Sequence, residues 1–144
     1  MPSSNLIAGM SRGKIGGFVF VFLWFFVGGI AHFAFIEAEM RIVPPYVPWP
    51  RAVVLITGVF ELLGAVGILL RSTRVAAGIG LFLLTIAVTP ANVYMLQHPN
   101  AFPVPVWALV LRLPVQVALL VLIAWCTGVT EVVGRWWGGR QKDL

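Results

Sequence analysis

The sequence predicts an all-α protein: a four-helix transmembrane bundle with both termini cytoplasmic and proline-rich outer loops. Three observations carry this reading. Hydrophobic residues make up 60% of the chain and charged residues only 10%, against about 25% charged in soluble domains. So few charges cannot clothe a water-facing surface, and the solvent of such a chain is largely lipid. Four apolar runs, Ile15–Ile36, Ala52–Leu70, Val75–Leu96 and Val106–Cys126, each suffice to span a ~30 Å hydrocarbon core at ~1.5 Å per residue. Finally, basic residues sit at the ends of these runs, mostly on one side. The net charge of +5 therefore encodes topology rather than a nucleic-acid surface. Residues 1–144 read as a single integral membrane domain, with the lipid bilayer as its first partner.

The first run follows Arg12 and Lys14, as a signal peptide's apolar region would. It is far longer than the usual ~7–15 residues of such a region, so it reads as a retained helix. The connection "EAEMRIVPPYVPWPR" comes next. Its prolines forbid a continuous helix and favour extended backbone, and Tyr46 and Trp49 suit the headgroup layer. Pro44, Pro45, Tyr46, Pro48 and Trp49 are expected to form an outer lid over the bundle. The second and third runs are joined by the tight turn "LLRSTRV", which makes them antiparallel neighbours. A second proline-rich outer loop, "QHPNAFPVPVW", leads to the fourth run. After it, residues 134–144 form a basic and aromatic tail in which Trp136 and Trp137, beside Arg135 and Arg140, read as an interfacial anchor.

Orientation follows from the same basic residues. Arg12, Lys14, Arg71, Arg74, Arg135, Arg140 and Lys142 fall on one side of four crossings, and only Arg41 and Arg51 on the other. The positive-inside rule puts the first side in the cytoplasm.

"PVWALVLRLPVQVALLVLIAW" contains an arginine and a glutamine that an ordinary membrane helix would not carry. A charge in lipid costs from ~3 to more than 10 kcal/mol, so such residues face a protein interior or a wet cavity. Arg112 and Gln116 are i, i+4 and share a face. Gly78, Thr85, Thr89 and Asn92 form a stripe on the third helix. Thr57 and Glu61 pair on the second, and Gly28 and His32 on the first, with Glu39 beyond. Arg112 and Glu61 lie roughly 10 and 15 Å in from the outer starts of their helices. His32, Glu61, Asn92, Arg112 and Gln116 are thus expected to converge in a polar pocket in the outer half of the bundle. Glu61 and Arg112 are the only deep charges of opposite sign, and pairing them is the cheapest way to bury both. The alternative is that the cluster only fixes helix register, through hydrogen bonds that average ~0.6 kcal/mol in membranes.

Several chemistries lack their residues. His32 and His98 are the only histidines, and no His/Cys/Asp/Glu spacing supports a metal site. Haem on His32 would have no second histidine within the membrane. No glycine-rich loop is placed to cradle phosphate. Ser3, Ser4, Ser11 and Ser72 lie in a terminus or the inner turn, away from His32. Cys126 is alone, which excludes an internal disulfide.

"GGIAHF", "VPPYVPWP", "TGVFELLGAVGILL", "TPANVYM" and "LRLPVQ" together resemble the DoxX-like family, from the first helix to the fourth. The resemblance implies a small bacterial inner-membrane protein of four helices. The family takes its name from a subunit associated with thiosulfate:quinone oxidoreductase. Other members are linked to redox-enzyme assemblies, and a eukaryotic branch acts as an assembly chaperone for acetylcholine receptors. It places His32, Pro44, Pro45, Pro48, Glu61, Pro90, Asn92, Arg112, Pro114 and Gln116 at motif positions. Thr57 departs from it, standing where a smaller serine-like residue is expected. A quinone is the ligand or cofactor the family suggests.

The function expected is an accessory or binding component of a redox-associated assembly, holding a small hydrophobic, quinone- or lipid-like ligand or docking a redox enzyme. Two alternatives remain open. One is a membrane enzyme moving a proton through His32 or Glu61 on a hydrophobic substrate. The other is an assembly chaperone for another membrane protein. A paired Glu61 argues against the enzyme, and an unpaired one beside His32 in an open cavity argues for it.

Overall fold

A computed structural model describes residues 9–140. Ser3, Ser4 and Lys142 of the sequence argument, and the side chain of Arg140, lie outside the described parts. The helices are α1 Arg12–Ala34, α2 Ile36–Ile42, α3 Pro50–Leu69, α4 Arg74–Ala87, α5 Thr89–Gln97, α6 Val106–Thr127 and α7 Val129–Arg140, with a 3-10 turn at Pro99–Ala101. No strand occurs among the described residues. Arg12–Ala34, Pro50–Leu69, Arg74–Gln97 and Val106–Thr127 are long and apolar enough to cross a membrane.

Local chemistry explains where these helices depart from the apolar runs. Helix α1 starts at Arg12 rather than Ile15 because the Ser11 side chain accepts from the Lys14 backbone N–H and caps the first turn. It ends at Ala34, since Phe35 leaves helical geometry, and Ile36 opens the short α2 instead. Glu37 and Glu39 in the first turn of α2 suit the positive end of its dipole. Helix α3 begins at Pro50, two residues before the apolar run, because proline at the first helical position sacrifices no hydrogen bond. The third run is two helices, α4 and α5, broken at Val88 just before Pro90. Proline removes an N–H and clashes with the turn before it. Gly128 takes φ +86° between α6 and α7, the left-handed conformation that ends many helices.

Among the four long helical stretches, α1 lies against α3 and α6, and α4 lies against α3 and α6. Each therefore touches two others, and α3 and α6 stand diagonally across the structure. Phe18, Val21 and Phe25 of α1, Ala65 and Ile68 of α3, Leu81 of α4, and Leu119, Ile123 and Cys126 of α6 form the buried core between them. The outer faces remain apolar. Val27, Leu63, Val117 and Val121 are each more than 60% exposed, far more apolar surface than a water-soluble monomer presents.

At the end of the structure where α1 starts, Lys14 Nζ meets Glu131 Oε1 of α7 at 2.7 Å. The Arg74 guanidinium lies over the Phe18 ring at 4.8 Å, and its Nε donates to the Ile68 carbonyl. The tail proposed at 134–144 is helical from Val129 to Arg140, with Trp136 and Trp137 both exposed and edge-to-face at 6.0 Å.

Candidate functional site

The five polar residues fall into two groups, on two different helix pairs. The first group runs between α4, α5 and α6. Gln116 is buried and its amide is fully engaged. Its Nε2 donates to the Thr85 carbonyl at 2.9 Å and to Thr89 Oγ1 at 2.5 Å, and its Oε1 accepts from Asn92 Nδ2 at 2.6 Å. The break at Val88, just before Pro90, makes this possible: the Val88 N–H still closes onto the Leu84 carbonyl, while the Thr85 carbonyl turns to Gln116. The Asn92 Oδ1 in turn accepts from Arg112 Nη1 at 3.4 Å.

A cavity of ≈ 340 Å³ opens beside this chain. Thr85, Asn92, Arg112 and Gln116 supply its polar side, and Trp24, Trp107, Leu111, Val115 and Leu119 most of its apolar wall. Arg112 is exposed, and among the described residues no carboxylate lies within salt-bridge distance of it.

The second group sits between α1 and α3. His32 Nδ1 donates to the Gly28 carbonyl at 2.9 Å, which leaves Nε2 as the ring's free nitrogen. Glu61 Oε2 lies 3.9 Å from the same Nδ1, too far for a hydrogen bond. That oxygen is buried and without a hydrogen-bond partner. Glycines make the approach possible: a Cβ on Gly28 would stand 2.8 Å from Glu61 Oε2, and one on Gly58 would stand 2.7 Å from His32 Cβ and 3.3 Å from the Gly29 carbonyl oxygen. Neither His32 nor Glu61 lines the cavity at Arg112.

The expected Arg112–Glu61 ion pair is therefore absent. Its helices, α6 and α3, occupy diagonal positions: Arg112, Asn92 and Gln116 bond among α4, α5 and α6, whereas His32 bonds within α1 and Glu61 Oε2 has no hydrogen bond. Similar depth along two helices does not bring side chains together unless those helices are adjacent.

In the proline-rich connection, residues 43–49 are non-helical and Pro50 opens α3. Pro44 is buried, and Pro45 and Pro48 are exposed. Tyr46 and Trp49 are more than 70% exposed, and Trp49 holds a positive φ of 52°. Tyr46 borders a separate depression with Thr89, Pro90, Tyr94 and Gln97, while no residue of 43–50 lines the cavity at Arg112. His98 donates from Nδ1 to the Tyr94 carbonyl and stacks near that ring at 4.5 Å. It belongs to neither group. Among the described residues no cluster of three or more His, Cys, Asp or Glu side chains is placed to hold a metal ion.

Trp24 and Trp107 are the aromatic lining residues that the sequence does not single out. The lining of α6 had a signal in Ala108, Arg112, Val115, Gln116 and Leu119, which share one helical face. Trp24 had none, since nothing in a single sequence says that α1 lies beside α6.

A family model described as Domain of unknown function (DUF8561) matches residues 21–130, and the chain belongs to that family. The matched stretch contains both polar groups and the whole cavity lining. No curated protein and no solved structure matches the chain.

Proposed function

We propose that this member of the DUF8561 family is a DoxX-like, multi-pass protein of the bacterial inner membrane that binds a small hydrophobic ligand with a polar head. In this reading the four long helices each cross the bilayer, both termini face the cytoplasm, and the loop of Tyr46 and Trp49 lies on the outer surface. The protein serves as an accessory component of a redox-associated membrane assembly. The band of exposed apolar side chains on all four helices supports the membrane setting, and the flanking basic residues support the orientation.

One observation carries the binding reading. An apolar-walled cavity of ≈ 340 Å³ ends in convergent amide and guanidinium groups, the build expected of a small-molecule site. Its polar side is held rigid by the Gln116 hydrogen bonds, so a ligand head meets pre-positioned groups. The test is mass spectrometry of the protein extracted from native membranes in a mild neutral detergent. A copurifying amphiphile that is lost on Arg112→Leu and on Trp107→Ala would support the reading. Wild-type protein that carries none, and takes up none when amphiphiles are added, would overturn it.

A second reading has its own observation, the unpartnered Glu61 oxygen beside His32. A buried polar atom without a partner is characteristic of groups that exchange protons or meet a substrate. Proton chemistry on a hydrophobic substrate would use that carboxyl. Turnover that is abolished by Glu61→Gln but retained by Arg112→Leu would favour this second reading.

A further inference from the structure

We infer that the ligand of the Arg112 cavity is an anionic amphiphile, a hydrocarbon chain ending in carboxylate or phosphate oxygens. The inference rests on the ligand-binding reading above and deepens it. The hydrogen bonds of the polar side are directional. Arg112 donates to Asn92, Asn92 donates to Gln116, and Gln116 donates to the Thr85 carbonyl and to Thr89. Each step occupies an acceptor oxygen, from Asn92 Oδ1 through Gln116 Oε1 to the Thr85 carbonyl and Thr89 Oγ1, and Gln116 uses both of its own N–H hydrogens. What remains for a ligand is dominated by N–H groups: the other hydrogen on Asn92 Nδ2 and four of the five guanidinium hydrogens of Arg112.

Charge points the same way. A guanidinium stays protonated in proteins, and among the described residues no carboxylate lies within salt-bridge distance of Arg112. Glu61, the acid that could have neutralised it, is held against α1. Arg112 lies six residues into α6, about 9 Å along the axis. In the orientation proposed above, that depth lets its head snorkel toward the outer headgroup layer, while the apolar wall continues along Val115 and Leu119. A neutral quinone would satisfy donors but leave the charge uncompensated. An acidic head satisfies both, and a two-oxygen head also matches the fork of the guanidinium.

Binding to the intact protein in neutral detergent, measured by native mass spectrometry, tests this. The probes are a fatty acid, a monoalkyl phosphate and a fatty alcohol of equal chain length, a short-tailed quinone, and inorganic phosphate. The expected result is that the two acidic amphiphiles bind at least about tenfold more tightly than the alcohol and the quinone, the value of one charge-assisted contact. Inorganic phosphate, having no tail, neither binds at comparable concentration nor displaces them. Arg112→Gln should erase the preference while the alcohol still binds, and Arg112→Lys should keep part of it, which separates loss of charge from loss of fold. Equal binding of the quinone or the alcohol by the wild type, or a preference that survives Arg112→Gln, overturns the inference and leaves the ligand-binding reading standing. Inorganic phosphate that competes as an equal overturns the amphiphile. Binding of no probe at all overturns both.

Discussion

The two polar groups make an instructive pair because each places ionisable chemistry, Arg112 in one and Glu61 beside His32 in the other, among apolar helices, with opposite results. Between α5 and α6 the arginine ends a chain of amides in which Gln116 uses its donors and its acceptor. Between α1 and α3 the glutamate ends nothing, and one of its oxygens is sealed against Gly28 with no hydrogen-bond partner, His32 Nδ1 standing 3.9 Å away. The difference lies in the backbone. Pro90 breaks the third long helix and releases carbonyls that a side chain can satisfy. The glycines of α1 and α3 instead draw two unbroken helices together, which buries a carboxyl but offers it no free backbone N–H. A broken helix supports a polar network, whereas an intact close-packed pair leaves a polar group stranded.

The largest expected effect comes from the close-packed pair. Gly58→Val should separate α1 from α3, since its new side chain would collide with His32 Cβ and press on the Gly29 carbonyl oxygen. Backbone cannot yield as a side-chain tip does, so the cost is about 3 kcal/mol. It would be read as a fall of several degrees in the thermal unfolding midpoint in detergent. Gly16→Ala, where an added Cβ meets nothing within 4 Å, is the matched control. An unchanged midpoint for Gly58→Val would show the α1–α3 contact to be slack.

Next in size is the contrast between networks. Gln116→Leu strands the Thr85 carbonyl, Thr89 and Asn92 together, and should cost roughly 2 kcal/mol. Glu61→Leu removes a carboxyl of which one oxygen has no hydrogen bond to lose, and should stay within about 1 kcal/mol of the wild type or stabilise it. A more damaging Glu61→Leu would break this contrast, because the carboxyl would then be held by bonds through its second oxygen or to a bound molecule.

How far the sequence reached follows the same division. The four long apolar stretches were readable because length, hydropathy and flanking charge are properties of contiguous residues. Arg112, Gln116 and Asn92 are legible because helical spacing puts Arg112 on a face with Gln116 and Asn92 on a stripe with Thr85 and Thr89. The single pocket was not readable correctly. Grouping residues by depth treats every helix as a neighbour of every other, and the diagonal placement of α3 and α6 is a tertiary fact. The breaks at Phe35 and Val88 differ in the same way. Pro90 lies two residues after the second, whereas no glycine or proline marks the first.

An ion pair at the other end of the structure gives a smaller effect and a scale for exposed charges. The Lys14 ammonium, with the Thr130 hydroxyl, holds the Glu131 carboxyl down at about 2, against an ordinary 4.5. A depressed carboxyl contributes stability that is complete above its unfolded value and is lost as pH falls. The window therefore runs from about 4.5 down to about 2. The Glu131 side chain is 52% exposed, so solvent screening limits the contribution to ~0–1 kcal/mol. Unfolding midpoints of wild type and Glu131→Gln should differ slightly at pH 7 and converge toward pH 2. A gap that widens on acidification would contradict the assignment.

The smallest expected effect is the most decisive for the comparison, because it asks whether the two groups know of each other. If Glu61 and Arg112 formed an ion pair, removing either would strand the other, and the double substitution would recover much of the loss. With α3 and α6 diagonal and no ion pair between the two side chains, neither residue holds the other's charge. Arg112→Leu should then cost what the loss of its single 3.4 Å bond to Asn92 and its packing on the cavity wall imply. Glu61→Leu should cost little, and the double variant should equal their sum to within ~0.5 kcal/mol, as for independent sites. The measurement is a double-mutant cycle of thermal or denaturant unfolding in one detergent. A coupling above ~1 kcal/mol would mean that the polar groups communicate across the core through the residues between them. The α5–α6 cavity and the α1–α3 carboxyl would then be two ends of one site, and the ligand head at Arg112 would sense the state of Glu61.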